Sequence, residues 1–173
     1  MITNATLEVL DQGLAVLEKI SDSDYTTKLE LVYGGTIGGH YRHVLEHFTT
    51  LYESHSEGFV NYDLRKRDMA IETSRLDAIT ATKNLKSKWQ EINQDLYVEK
   101  LELNGKLSHS TEESMEIQTT FGREVAYSIA HANHHYAIIG VMCAILDCPT
   151  GGEFGVAPST TRHRENQAPI SAS

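Results

Sequence analysis

Apolar residues recur every three or four positions through four long stretches of this chain, and that period is the period of a helix face. In the first stretch, from about Thr3 to Ile20, Leu7, Leu10, Leu14 and Leu17 mark one face, with Thr3 or Asn4 placed to cap it. Ser21-Asp22-Ser23-Asp24 then reads as a stop and turn, and Gly34-Gly35 as a break. The second stretch, about Thr36 to Ser56, carries Ile37, Tyr41, Val44, Phe48, Leu51 and Tyr52, with Thr36 as a natural N-cap and Gly58 beyond its end. Leu76, Ile79, Leu85, Trp89 and Ile92 give the third, about Met69 to Asn93. The fourth, about Thr120 to Leu146, holds Val125, Ile129, Ile138, Val141, Met142 and Ile145; as the most apolar of the four it is expected at the centre.

Between the third and fourth stretches the period changes. Leu96 to Leu101 partly alternates, and Asn104-Gly105 is a hairpin signal, so a short β-like or irregular excursion is expected there. These elements predict an all-α fold, a four-helix bundle with one such excursion. The chain is 173 residues long, which suits one domain, here 1–148. Residues 149–173 form a Gly-, Pro- and Ser-rich tail, of which Phe154-Gly155-Val156-Ala157 is apolar enough to pack on the bundle.

Composition narrows the partners. Fifteen Lys and Arg against 24 Asp and Glu give a net charge of −9, which argues against nucleic acid, whose phosphates want clustered positive charge. No apolar run reaches about 18 residues, so no membrane partner is expected. No basic segment followed by an apolar core opens the chain, so no signal peptide is expected either. Cys143 and Cys148 are read as small buried hydrophobes of a reduced, cytoplasmic protein rather than as a disulfide.

Nine histidines are the unusual count, and six of them fall in two short segments. His40, His43 and His47 lie within about a 60° arc of the second helix. His131, His134 and His135 lie in the fourth, with His131 and His135 one turn apart on one face. An HxxxH pair on one helix and an imidazole from a facing helix make a three-histidine site with coordination positions left open. His43-xxx-His47 is a second HxxxH, so a four-histidine or dinuclear arrangement is also open. Periodicity puts His40 and His47 nearer the apolar stripe than His43. No histidine follows a glutamate by three residues, which removes the ExxH pair of ferritin-like di-iron bundles. HExxH, GxSxG, P-loop and Rossmann patterns are also absent.

Thr36-Ile37-Gly38-Gly39-His40-Tyr41-Arg42-His43 resembles the "S-I-G-x-x-x-x-H" start of the second helix in the DinB-like (YfiT-like) superfamily. His131-Ala132-Asn133-His134-His135 is similar to the H-x-x-x-H element of that superfamily's last long helix. Arg123-Glu124, the Tyr62 to Arg67 stretch and Phe154 to Thr160 are similar to a bacterial subgroup. The resemblance implies a four-helix bundle, often dimeric, holding a divalent metal on His43, His131 and His135, with His47 as an alternative ligand or a partner behind one. It also implies a metal-dependent enzyme in which the ion activates a low-molecular-weight thiol cosubstrate or a water, for S-transfer to a small-molecule substrate or for hydrolysis. Zinc, nickel, iron and manganese all accept imidazole.

Glu46, Glu124, Asn133, Tyr127 and Tyr136 are candidate partners for the ligands' second ring nitrogens, while His40 and His134 are read as structural or pocket-lining. Arg65, Arg67 and Glu72 are read as holding the connection on the bundle. No residue stands out as the catalytic acid or base. That leaves a non-catalytic metal- or small-molecule-binding protein of the stress response, or a plain helical bundle, as alternatives.

Overall fold

The computed structural model describes residues 1–167. Helix α1 spans Ile2–Leu17, a short α2 spans Asp22–Thr26, and α3 spans Ile37–Ser54. A two-residue strand β1, Phe59–Val60, leads to a charged connection and to helices α4, Met69–Thr73, and α5, Arg75–Gln90. Strands β2, Lys100–Gly105, and β3, Met115–Thr120, run into the longest helix, α6, Phe121–Ile145; α7, Pro158–Gln167, follows.

The four long helices form the bundle, α1 and α3 each packing on both α5 and α6. Val9, Leu10, Val16 and Leu17 of α1 face Tyr41, Val44, Phe48 and Leu51 of α3 and Val125, Tyr136, Ile139 and Met142 of α6 across one core. Each such side chain taken out of water contributes about 1.5–3 kcal/mol. At the α5 end, Trp89 meets Phe48 edge-on at 6.0 Å and stacks on Phe121 at 5.8 Å. Close approach is bought with small residues at two places. A Cβ on Gly13 would collide with the Tyr136 hydroxyl, and one on Gly38 would collide with the Glu72 carbonyl of α4.

Local chemistry sets the helix ends. The Thr36 side chain accepts from the Gly39 N–H at 2.9 Å, as expected of an N-cap. Thr120 does the same for Arg123, at 3.2 Å. Thr3 and Asn4 cap nothing; α1 starts two or three residues earlier, with Met1 at its N-cap. Ser21 and Asp24 form a reciprocal capping box, so the expected stop and turn opens α2. The third apolar stretch is two helices. Ser74 closes α4 and, with extended backbone and its hydroxyl near the Asp77 N–H, opens α5.

The expectation of an all-α DinB-like bundle with a β-like excursion is corrected by the sheet. Three strands form one mixed sheet in the order β1-β2-β3, β1 parallel to β2 and β2 antiparallel to β3. The chain therefore combines helices with a sheet. Alternation in Lys100 to Gly105 supplies the central strand, and Leu101 is its buried residue. Asn104-Gly105 is not the hairpin turn. Gly105 pairs with Met115, and residues 106–114 make a longer loop.

Phe154 of the tail stacks on the Tyr136 ring at 4.8 Å, and Gly155 lies against Ala137 too closely for a Cβ. The last residues of the 149–173 tail, 168–173, lie outside the described residues. Among the described residues, no helix is long and apolar enough to cross a membrane.

Candidate functional site

Helices α3 and α6 lie side by side, and their histidines meet in the seam between them. His43 Nε2 stands 2.8 Å from His131 Nε2. One donor atom from each of His43, His131 and His135 lies within 4.8 Å of the other two, and all three rings are half-buried. The i, i+4 spacing of α6 puts His131 and His135 on one side of the seam, their ring centroids 4.6 Å apart.

His47 stands beside this group without joining it. Its ring is almost wholly buried, lies 4.3 Å from that of His131, and stacks on Tyr62 at 4.6 Å. Its Nδ1 has no hydrogen-bond partner. His134 is exposed, its ring 5.3 Å from that of His135.

Burial and crowding keep these rings uncharged. Loss of water, then the mutual repulsion of neighbouring imidazoles and Arg65, holds His43 and His47 down to about 3. His135 is lowered to about 3 by burial and by His43, His131 and His40. Burial also lowers His131, reinforced by His134 and Arg65, and lowers His40, reinforced by His134. Neutral imidazoles present lone pairs, the form a metal ion takes. Nitrogens at the usual 2.0–2.1 Å from a tetrahedral ion stand about 3.3 Å apart, so the His43–His131 contact needs to open by roughly half an ångström. The donor set, its half-burial and its neutrality fit a divalent cation with positions left open to a small ligand.

None of the five residues considered as partners behind the ligands takes that place. Glu46 accepts from the Asp68 N–H at 2.8 Å and pairs with Arg65 at 3.3 Å and Arg42 at 3.5 Å. Glu124 accepts from the Tyr62 hydroxyl at 3.0 Å and the Thr119 hydroxyl at 2.7 Å. Tyr136 stacks on Tyr41, Tyr127 stacks on His131, and Asn133 makes no hydrogen bond to a ligand ring. The partner is His40, read from sequence as structural or pocket-lining, whose Nδ1 meets His135 Nδ1 at 2.9 Å. Only its position one turn before Val44 on the histidine-bearing helix hinted at this. Arg65 holds the connection, its Nη1 donating to the Tyr62 carbonyl at 2.8 Å; Glu72 pairs with Arg42 at 2.7 Å.

A cleft of about 480 Å³ opens over the seam. His43, His47 and His131 lie along one side with Tyr62 and Tyr127; Leu103 and Ile117 of the sheet face them.

Comparison with known proteins bears on what this site belongs to. No family model matches the chain, and no solved structure matches it. A curated protein of Rhizopus delemar, FK506-binding protein 5, is 32% identical over 108 residues, which are 62% of this chain and 28% of that protein. The chain thus spans less than a third of that relative's length.

This likeness overturns the DinB-like resemblance. The relative's name points to an FK506-binding family, and it comes from a fungus rather than from the bacterial subgroup. The metal-dependent thiol transferase or hydrolase that the resemblance implied falls with it. Short motifs such as Thr36-Ile37-Gly38 and HxxxH are met by any helix pair that needs a threonine cap, a glycine contact and histidines one turn apart, so they do not define a family by themselves. The convergence of the histidines does not depend on either likeness.

Proposed function

We propose that this chain is a divalent-cation-binding module, the ion held by His43, His131 and His135. The observation that supports it is the convergence of three uncharged donors from two helices within 4.8 Å. Zinc, nickel, iron and manganese all suit imidazole, and availability with geometry chooses among them. A small molecule reaching the ion through the cleft is the natural partner, in a cytoplasmic protein whose two cysteines are free. The test is elemental analysis of the untagged chain after exposure to each metal, beside His131→Ala/His135→Ala. About one ion per chain in the parent and none in the variant is expected for a single three-histidine site. A parent that takes up none of the four metals overturns the reading.

The likeness to FK506-binding protein 5 favours a second reading, that this chain itself binds FK506. Calorimetric titration of the full chain with FK506 decides it. Saturable binding at one per chain supports it, and absence of heat at high protein concentration removes it.

A further inference from the structure

Away from the three converging nitrogens, the cleft has a chemistry of its own. One wall is a run of stacked rings, Tyr62 on His47 at 4.6 Å and Tyr127 on His131 at 5.6 Å, each pair within 18° of parallel. The facing wall is apolar and poorly covered: Ile117 is 38% exposed, Met115 42% and Leu107 72%. A gap of about 480 Å³ between an aromatic wall and exposed aliphatic side chains is the shape of a small-molecule site.

Its polar groups define the occupant. Glu124 is satisfied by Tyr62 and Thr119, and Asp63 accepts from the Lys106 N–H at 3.0 Å. Arg65 is held by Glu46, and Lys106 Nζ by Glu112. Arg123 is the most open of these cations. Its side chain is 63% exposed, its guanidinium lies over the Tyr127 ring at 5.6 Å, and its ion pair with the buried Glu124, at 3.6 Å, leaves the outer edge of the guanidinium to solvent. Three atoms on the cleft's lining residues are buried without a hydrogen-bond partner: Arg65 Nε, which has its ion pair with Glu46, and His47 Nδ1 and Asn104 Oδ1, which have no such pair. His47 is 4% exposed, so water does not substitute for the missing partner without entering the cleft.

We infer that the cleft binds a small monocyclic aromatic carboxylic acid carrying a hydroxyl. The ring lies between the Tyr62–Tyr127 wall and Ile117, the carboxylate meets Arg123, and the hydroxyl serves the buried polar atoms of Asn104 and His47. A guanidinium–carboxylate contact gives the site its preference for an anion. A hydroxyl lost from a ligand leaves a buried acceptor unpaired, which gives the second element of selectivity. None of the anchoring groups is one of the three converging ligands, so the acid binds with or without an ion.

The experiment is calorimetry on the chelator-treated full chain with three probes: 4-hydroxyphenylacetate, phenylacetate and 4-hydroxyphenylethanol. The hydroxy acid is expected to saturate at one per chain, with the alcohol weaker by about tenfold or more and phenylacetate weaker by roughly threefold to tenfold. Arg123→Gln, an exposed substitution expected to leave the circular dichroism unchanged, should bring acid and alcohol to within about twofold. No saturable binding, equal binding of acid and alcohol, or a preference that survives Arg123→Gln overturns the inference. Metal uptake is measured separately, so a chain that binds zinc but no acid refutes this proposal alone, and one that binds the acid but no metal refutes only the cation reading.

Discussion

Single side chains decide how this site responds to acid. His43, His47 and His135 are held down to about 3 in the folded chain, against the ordinary 6.5 of an unfolded histidine. Between those values the unfolded state binds protons that the folded state refuses. Their contribution to stability is therefore complete above about pH 6.5 and is lost as pH falls toward 3. Thermal melting of the metal-free chain from pH 8 to pH 4 should show the midpoint falling from about pH 6.5 downward. His47→Phe, which keeps a ring stacked on Tyr62, should flatten part of that slope. A melting temperature independent of pH across this range would contradict the burial of these rings.

Glu46 works at the same scale. Its carboxylate is nearly enclosed and answers two arginines and a backbone N–H, so Glu46→Ala strands Arg65 and frees the 61–68 connection. A loss of about 3 kcal/mol in urea unfolding is expected from removing one partner of such a cluster. From the sequence, the two histidine segments were visible and their meeting was an expectation, but spacing alone did not choose His43 over His40 and His47. An apolar stripe tells which face is buried, and His43 lies off the centre of that stripe, yet its Nε2 stands 2.8 Å from His131 Nε2. The hydrogen bond of His40 to His135 had only the place of His40 on the histidine-bearing helix to hint at it, because it joins residues 95 positions apart.

At the scale of elements, the caps were the legible part. Thr36 sits where an oxygen is needed for the Gly39 N–H, and Thr36→Ala should cost about 1 kcal/mol by thermal or chemical unfolding. Gly38→Ala should cost more, since its methyl meets the Glu72 backbone, and α4 has to move off α3. A Gly38→Ala chain as stable as the parent would show that α4 is loosely held. What escaped the sequence were the joints. Helical period continues from Met69 into Arg75 and beyond, so nothing in the apolar spacing announces that Ser74 divides the stretch. A two-residue strand such as β1 is too short to carry an alternation. Asn104-Gly105 carries the hairpin signal but sits at a strand end, because the strands register so that Gly105 pairs with Met115.

For the whole molecule, the core ties the sheet end of the bundle to the helices through one aromatic group, Phe48, Trp89 and Phe121. Phe48→Ala should cost about 3–5 kcal/mol, measured as a shift of the urea midpoint at unchanged slope. The helix bundle was legible from periodicity, since four buried faces have few ways to cover one another. The family was not, because the fragments that carry the likeness are local and the comparison that bears on kinship runs over 108 residues.

The parallel pairing of β1 with β2 has a consequence for the order of events in folding. Phe59 and Val60 meet Glu102 and Leu103 only after α4 and α5 have folded back between them, and the Glu102 N–H donates to the Gly58 carbonyl across that same junction. Closing so long a loop is entropically unfavourable until the helices have docked. The sheet that forms the far wall of the cleft is thus assembled after the histidine-bearing helices, and the Glu102 amide should gain protection from hydrogen exchange later than the amides of α3 and α6 during refolding.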